Sequence, residues 1–366
     1  MSGNADILLV PDLALERWPS MDRYAEAIAR RAPRVQVPIE AASMGGPRYL
    51  ARYLRYPRAL ARYHPKLVHV ADHSYAHCLR AFPGLPSIVT VHDLFPLETL
   101  AKRERGPRAR VRDAVLHRVI AWIRRADLLI AVSRFTAGEA ARLLGIASDK
   151  VRVARNGVDE KFFASPGEAA ISARRAGWRT GGRADGRTVF VLNVGSCVPR
   201  KNIEGAITAL GELRQRGVNA VLVQIGGRFT TAQRRQIGRT GVADSVIQEP
   251  RVSDEMLVAA YHAADLLLFP SLYEGFGLPA LEALAAGLPV VTSGAGGLAE
   301  AVGGAAIIVN PPEPARLADA MQTTLDAKAG KDVLKARGIA WARRFTWDAS
   351  AVEHERVYDE LLARGR

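Results

Sequence analysis

The chain has 366 residues, 48% apolar and 7% aromatic, enough for two cores of ordinary size and too apolar for a disordered polypeptide. Cys78 and Cys197 are the only cysteines, which excludes a disulfide framework or a cysteine-based zinc site and makes a reducing compartment, the cytoplasm, the expectation. The formal net charge of +14, with 26 Lys and Arg against 16 Asp and Glu in residues 1 to 160, implies attraction to something acidic: a phosphorylated substrate, anionic lipid or nucleic acid.

The N-terminus lacks the basic segment of a signal peptide, and Ile7 to Val10 is far too short to span a membrane. Ile7 to Pro11 reads as a buried strand and Ser20 to Ala32 as a helix, joined by a loop that carries Arg17. In residues 47 to 66, Arg48, Arg52, Arg55, Arg58 and Arg62 recur at helical steps with Tyr49, Tyr53, Tyr56 and Tyr63 between them. This pattern fits either a basic face docked on an anionic membrane or a solvated face on core helices, with Pro57 expected to split it into two short pieces.

Leu67 to Val70 and Ser87 to Val91 are strands, each delivering polar groups at its end: Asp72 and His73, then His92 and Asp93. His69, Asp72, His73 and His77 lack the spacing of a metal site, and no metal is expected. Residues 101 to 112 hold six positive charges around a Gly-Pro break and read as a mobile loop. A strand then ends at Ser133, with Thr136 capping or opening the next helix, and Lys150 to Val153 is a further strand before the turn Asn156-Gly157.

After a helix and a Gly-rich linker within residues 165 to 187, Thr188 to Val194 begins a second half. It runs into Gly195-Ser-Cys-Val-Pro-Arg-Lys-Asn202, a strand-to-helix junction where Arg200, Lys201 and helix N–H groups capped by Asn202 suit a diphosphate. The central stretch is Asp265 to Thr292: strand Leu266 to Phe269, a loop with Glu274, Gly275 and Gly277, a helix with Pro279 in its first turn, Gly287 as its C′ residue, and a strand from Pro289. The helix N-terminus favours an anion, the glycines admit close approach, and Glu274 and Glu282 are acceptors suited to sugar hydroxyls. Beyond it lie the Gly-rich loop Ser293 to Glu300, a strand Ala306 to Asn310, a helix Glu313 to Ala329 and a terminal helix from Thr346 to Leu362.

The Glu274, seven residues, Glu282 spacing, with Gly-Phe-Gly-Leu-Pro between, closely resembles the motif of retaining GT-B glycosyltransferases of glycosyltransferase family 4, and Pro-Arg-Lys-Asn resembles a mannosyltransferase-like subgroup. The resemblance covers essentially the whole chain. It implies an α/β, GT-B fold of two Rossmann-like domains with parallel sheets facing an interdomain cleft: residues 1–165 for the acceptor, 166–345 for the nucleotide sugar, and 346–366 as a helix returning to the first domain. It implies that Glu282 grips the ribose and Glu274 the transferred sugar, with Gly275, Phe276, Gly277 and Leu278 presenting backbone N–H groups. Gly195, Arg200 and Lys201 would hold the diphosphate, Arg251 and Val252 would lie near the base, and His92, in the segment Val89 to Pro96, would act on or orient the sugar.

Ser196 occupies a place where relatives sometimes carry a further Arg, and Pro250-Arg251 replaces a commoner Leu-Gly, so the base stays open among guanosine, uridine and thymidine. The expected activity is retaining, metal-independent hexosyl transfer, mannose first, from a GDP-, UDP- or dTDP-sugar to a glycan or lipid-linked saccharide in cell-surface polysaccharide synthesis. No separate cofactor and no nucleic acid partner are expected, while the basic N-terminal half allows contact with the inner face of the cell membrane. The alternatives are a GT-B sugar-nucleotide epimerase, which needs no acceptor, and a non-catalytic module binding anionic glycan or lipid. A glycoside hydrolase would have no use for a diphosphate cradle.

Overall fold

The computed structural model describes residues 6–16, 18–98, 117–179, 187–326 and 330–364. Arg17 and the expected loop at residues 101 to 112 lie outside them. The chain divides into two compact units, Met1–Gly157 with Trp347–Arg366, and Val158–Thr346. Each holds one six-stranded sheet among the described residues. With its flanking helices, each is the Rossmann-like unit of a GT-B fold.

In the first unit, strands β1 (Ile7–Val10), β2 (Val35–Gln36), β3 (Leu67–Val70), β4 (Ser87–Val91), β5 (Leu128–Ala131) and β6 (Val151–Val153) lie in the order β2-β1-β3-β4-β5-β6. All pairs are parallel. Continuous apolar runs such as Ile7–Val10 suit them to this layer, because helices cover both faces and no face needs polar residues. On one face the helix Trp347–Arg364 places Val357, Tyr358 and Leu361 against Ile7, Leu67, Ile88 and Leu128. A buried polar chain ties the same helix down: His69 bridges the Tyr358 and Thr90 hydroxyls at 2.8 and 2.7 Å, and the Tyr24 hydroxyl meets Thr90 at 2.8 Å and His354 Nε2 at 2.7 Å.

Pro57 does not split the Arg-Tyr stretch. Helix Arg48–Leu50 widens into a π-type turn, Ala51–Arg55, and continues as Tyr56–Leu60 with Pro57 in its first turn. The missing Pro57 N–H leaves carbonyls without helical partners. His77 Nε2 donates to the Arg52 carbonyl at 3.0 Å, and Arg80 donates to that of Tyr53. Nor is the stretch one solvated arginine face: Arg52 is buried, donating to Glu16 at 3.1 Å with its guanidinium 4.2 Å from the centre of the Tyr75 ring.

The second unit repeats the plan with β7 (Val189–Val194), β8 (Ala220–Ile225), β9 (Val246–Glu249), β10 (Leu266–Phe269), β11 (Val290–Thr292) and β12 (Ile307–Ile308), in the order β12-β11-β10-β7-β8-β9. Strand order reverses between β7 and β10, and such a switch point opens a crevice at the carboxyl ends of the strands. A helix that the sequence reading passed over, Lys331–Ala342, follows Pro314–Asp326. Val158 and Thr346, where the chain enters and leaves this unit, pair in parallel.

Candidate functional site

The loops after β7 and β10 meet at the switch point of the second sheet. After β7 the chain turns through Gly195, at φ +143°, and a 3-10 turn Pro199–Lys201 into Asn202. Asn202 has φ +52°, a left-handed conformation that Asn tolerates better than most residues, and caps the helix Ile203–Gln215 by accepting from the Gly205 N–H at 3.3 Å. Its amide also donates to the Pro270 carbonyl at 3.2 Å, and the Leu272 N–H donates to the Arg200 carbonyl at 2.7 Å, so the two loops are stitched together.

After β10 the backbone runs through Tyr273, Glu274, Gly275 and Phe276 to Gly277, which caps the helix Leu278–Ala285 at φ +112°. A Cβ on Gly277 would stand 2.4 Å from Leu298 Cδ1, so both conformation and space demand glycine there. The helix closes as expected at Gly287, where Gly287 N–H reaches the Leu284 carbonyl and Leu288 N–H that of Ala283, the double bond of a Schellman end.

Three side chains converge on this crevice. Lys201 Nζ lies 2.6 Å from Glu274 Oε1, and Arg200 Nη1 lies 3.3 Å from Oε2 and donates to the Tyr273 carbonyl at 3.2 Å. Lys201 and Glu274 are buried, and the ammonium sits 4.7 Å from the Phe269 ring centre. Burial pulls the Glu274 carboxyl upward, but Lys201 and Arg200 outweigh it and hold the group below its ordinary value, ionised at neutral pH. The arrangement presents two cations and one carboxylate beside a helix N-terminus, a set able to take an anion and a hydroxyl-rich group together.

The other residues singled out from sequence fall around this centre or away from it. Gly275, Phe276, Gly277 and Leu278 form the turn into the helix, and Gly195 packs where a Cβ would lie 3.5 Å from Lys201 Cε. Glu282 is buried one turn along the helix and accepts from the Tyr261 hydroxyl at 2.7 Å, so it is no ordinary solvated helix residue. Arg251 and Val252 follow the edge strand β9, separated from β7 by β8, and Arg251 is exposed.

His92 belongs to the first unit, at the end of β4. Its Nε2 donates to the Ala71 carbonyl at 2.8 Å, and its ring meets Tyr24 edge-on at 4.7 Å. Burial lowers its pKa despite Asp72 and the carbonyl, so at neutral pH the ring is neutral with the proton on Nε2. Asp72 lies two residues past β3 and accepts from the Ser74 N–H at 2.6 Å, while Ser133 lies two residues past β5 and is itself the helix cap, accepting from the Thr136 N–H at 3.0 Å. The cap is therefore Ser133, not Thr136, because the helix starts at Arg134.

The sequence reading missed Asp12. It lies just past β1 at the switch point of the first sheet, between β1 and β3, 4% exposed, with neither carboxyl oxygen hydrogen-bonded. Pro11-Asp12 shares with Asp72 and His92 the signal of a polar residue placed just after a buried strand.

The family described as "Glycosyl transferases group 1" matches residues 176–341, and that described as "Glycosyltransferase Family 4" matches residues 12–162. The glycogen synthase of Mycobacterium tuberculosis is 32% identical over 80% of this chain and 68% of its own. The chain belongs to the group 1 glycosyltransferases. The D-inositol 3-phosphate glycosyltransferase of Acidothermus cellulolyticus is 32% identical over 77% of this chain, but the matched stretch spans 64% of that relative's length. The MMP alpha-(1->4)-mannosyltransferase of Mycolicibacterium hassiacum is 28% identical over 97% of this chain and 88% of its own. Among solved structures, Anabaena HepE in complex with UDP and glucose superposes with a TM-score of 0.76 over 97% of this chain and 99% of its own, at 20% identity, a likeness of fold. Within this group 1 chain, the Lys201–Glu274–Arg200 cluster lies inside the segment matched by the first family.

Proposed function

We propose that the chain is a retaining, metal-independent hexosyltransferase that moves a hexose, mannose first, from a nucleotide-diphosphate sugar to a glycan or lipid-linked saccharide. The observation that carries this reading is the contact of Lys201 and Arg200 with Glu274 at the switch point. A diphosphate is matched by the two cations and the helix N-termini, and a sugar hydroxyl by the carboxylate. In the transfer, the bond from the anomeric carbon to the phosphate oxygen breaks and its electron pair stays with the diphosphate, whose growing charge Arg200 and Lys201 neutralise. The acceptor oxygen forms the new bond, and its proton passes to the departing phosphate. Glu282 is assigned to the ribose, His92 to orienting the sugar, and Arg251 and Val252 to the base. No separate cofactor is required.

Mannose is favoured by the Pro-Arg-Lys-Asn sequence and by the mannosyltransferase among the relatives. Among the described residues no helix is long and apolar enough to cross a membrane. Cytoplasmic work at the inner face of the membrane is part of the proposal, supported by Tyr49, Leu50 and Leu54 exposed beside the arginines of the helical stretch 48–60.

A thermal-shift series with GDP, UDP, dTDP, ADP and their sugars tests the reading, repeated on Lys201→Ala against that variant's own unliganded melting temperature. Stabilisation by one nucleotide, lost in the variant, is expected. No shift at millimolar nucleotide would sink the transferase reading.

A further inference from the structure

The first unit has a concavity at the opposite edge of its sheet from Asp72 and His92. It opens where β4, β5 and β6 begin, under the end of the helix Trp347–Arg364, and encloses about 720 Å³. That is within the range of small-molecule sites. Its floor is apolar, with buried Phe82 and Leu361 and the half-buried Trp122.

Its charge is one-sided. Arg80, Arg125, Lys150 and Arg364 line it against a single carboxylate, Asp127, whose Oδ2 already accepts from the Ser87 N–H and hydroxyl at 2.9 and 2.8 Å. Three of the cations already have a contact within the protein: Arg80 donates to the Tyr53 carbonyl, Arg364 pairs with Glu360 at 2.5 Å, and Arg125 lies 4.5 Å from the ring centre of Trp122 in the floor. The Lys150 ammonium has no carboxylate partner among the described residues. An apolar floor beneath a rim with four cations, one of them without a carboxylate partner, and a single carboxylate selects a molecule with the reverse polarity, an anionic head on an apolar body.

We infer that this concavity binds a phosphate monoester carried on an apolar chain, with the head group at Lys150 and Arg364 and the chain on Phe82, Trp122 and Leu361. The site is separate from the switch-point crevice of the second sheet and does not rest on the transferase reading. Two sources supply such a ligand, a free amphiphilic phosphate and a phosphatidic acid head group in a bilayer.

Tryptophan fluorescence of the full chain distinguishes them. Titration with monomeric hexyl phosphate is the first arm, and vesicles of phosphatidylcholine with and without phosphatidic acid are the second. The expected result is a saturable change, absent in Trp122→Phe, with hexanol and inorganic phosphate each binding at least tenfold more weakly than hexyl phosphate. Lys150→Ala with Arg364→Ala should weaken it at least tenfold while leaving the melting curve in place. A response to hexyl phosphate assigns a free ligand, and a response only to phosphatidic acid vesicles, lost in the double variant, assigns the lipid. No response in either arm, equal binding of hexanol, or a response indifferent to the double variant overturns the site.

Discussion

Two buried carboxylates, Glu274 and Asp12, have opposite surroundings, and the difference predicts opposite effects of removing them. Glu274 is held between Lys201 and Arg200, so Glu274→Ala leaves the buried Lys201 ammonium without its carboxylate. Breaking such a pair from one side costs about 3 to 5 kcal/mol, whereas removing both charges costs far less. Denaturant melts should therefore show Lys201→Met restoring much of the stability lost in Glu274→Ala, and an additive cycle would deny the coupling. The pair stabilises above the unfolded carboxyl value of 4.5, and that contribution fades as pH falls through the lower folded value. Transfer by Glu274→Gln, which keeps the shape, should fall by on the order of a hundredfold or more, read by product chromatography.

Asp12 accepts no hydrogen bond at either oxygen, and the charge of Arg52 offsets only part of its burial. Burial, with Asp72 next, pushes its carboxyl well above the ordinary value, so ionising it at high pH weakens the native state. Asp12→Asn should raise stability at pH 8 by about 1 to 3 kcal/mol, and the gain should shrink on acidification as the wild-type carboxyl takes up its proton. Urea melts at pH 8 and pH 5 decide this; a destabilised Asn variant would mean that the carboxylate finds a partner in solution.

At the scale of elements, the terminal helix is held as much by polar bonds as by apolar packing. His354 is fully buried, accepts at Nε2 from the Tyr24 hydroxyl, and donates from Nδ1 to the Ser350 carbonyl at 2.7 Å; burial drops its pKa to about 4. The unfolded chain binds this proton near pH 6.5 and the native one only near 4, so stability is full above 6.5 and is lost as pH falls between them, on the order of 3 kcal/mol. Burial also lowers the pKa of His69, His77, His92 and His262, so His354→Gln should reduce the pH dependence of the urea midpoint across that window by one histidine's share, and an unchanged slope would remove His354 as a source of it.

Sequence made the strands legible because parallel strands buried on both faces are unbroken apolar runs, as at Leu266–Phe269. The caps at Asn202 and Gly287 were legible for the same local reason: residue type alone narrows the backbone conformation. What stayed hidden depended on partners distant in the chain. Pro57 reads as a break until His77 and Arg80 supply donors to the freed carbonyls, and Arg52 reads as solvated until Glu16 and Tyr75 receive it. β2 has two residues, too few for any period to show. In the candidate site the residue types and spacing were visible, but the direct pairing of Lys201 with Glu274 across 73 positions was not.

At the scale of the whole molecule, the two units are unequal in how the chain builds them. Val158–Thr346 is continuous and carries its own core, from Val191, Leu222, Leu266 and Leu268 to Met321. The first unit is completed only when Trp347–Arg366 is added to Met1–Gly157. Without that helix, Ile7, Leu67, Ile88 and Leu128 lose Val357, Tyr358 and Leu361, and His69 loses the Tyr358 hydroxyl. Three side chains at about 1.5 to 3 kcal/mol each amount to roughly 5 kcal/mol or more, comparable with the whole stability of a typical domain. Residues 158–346 expressed alone should thus melt cooperatively. Residues 1–157 alone should show no cooperative transition, and joining residues 347–366 to them through a flexible linker should restore one. Calorimetry of the three fragments is the check: a cooperative melt of 1–157 by itself would show that the terminal helix is an accessory to the first unit and not part of its core.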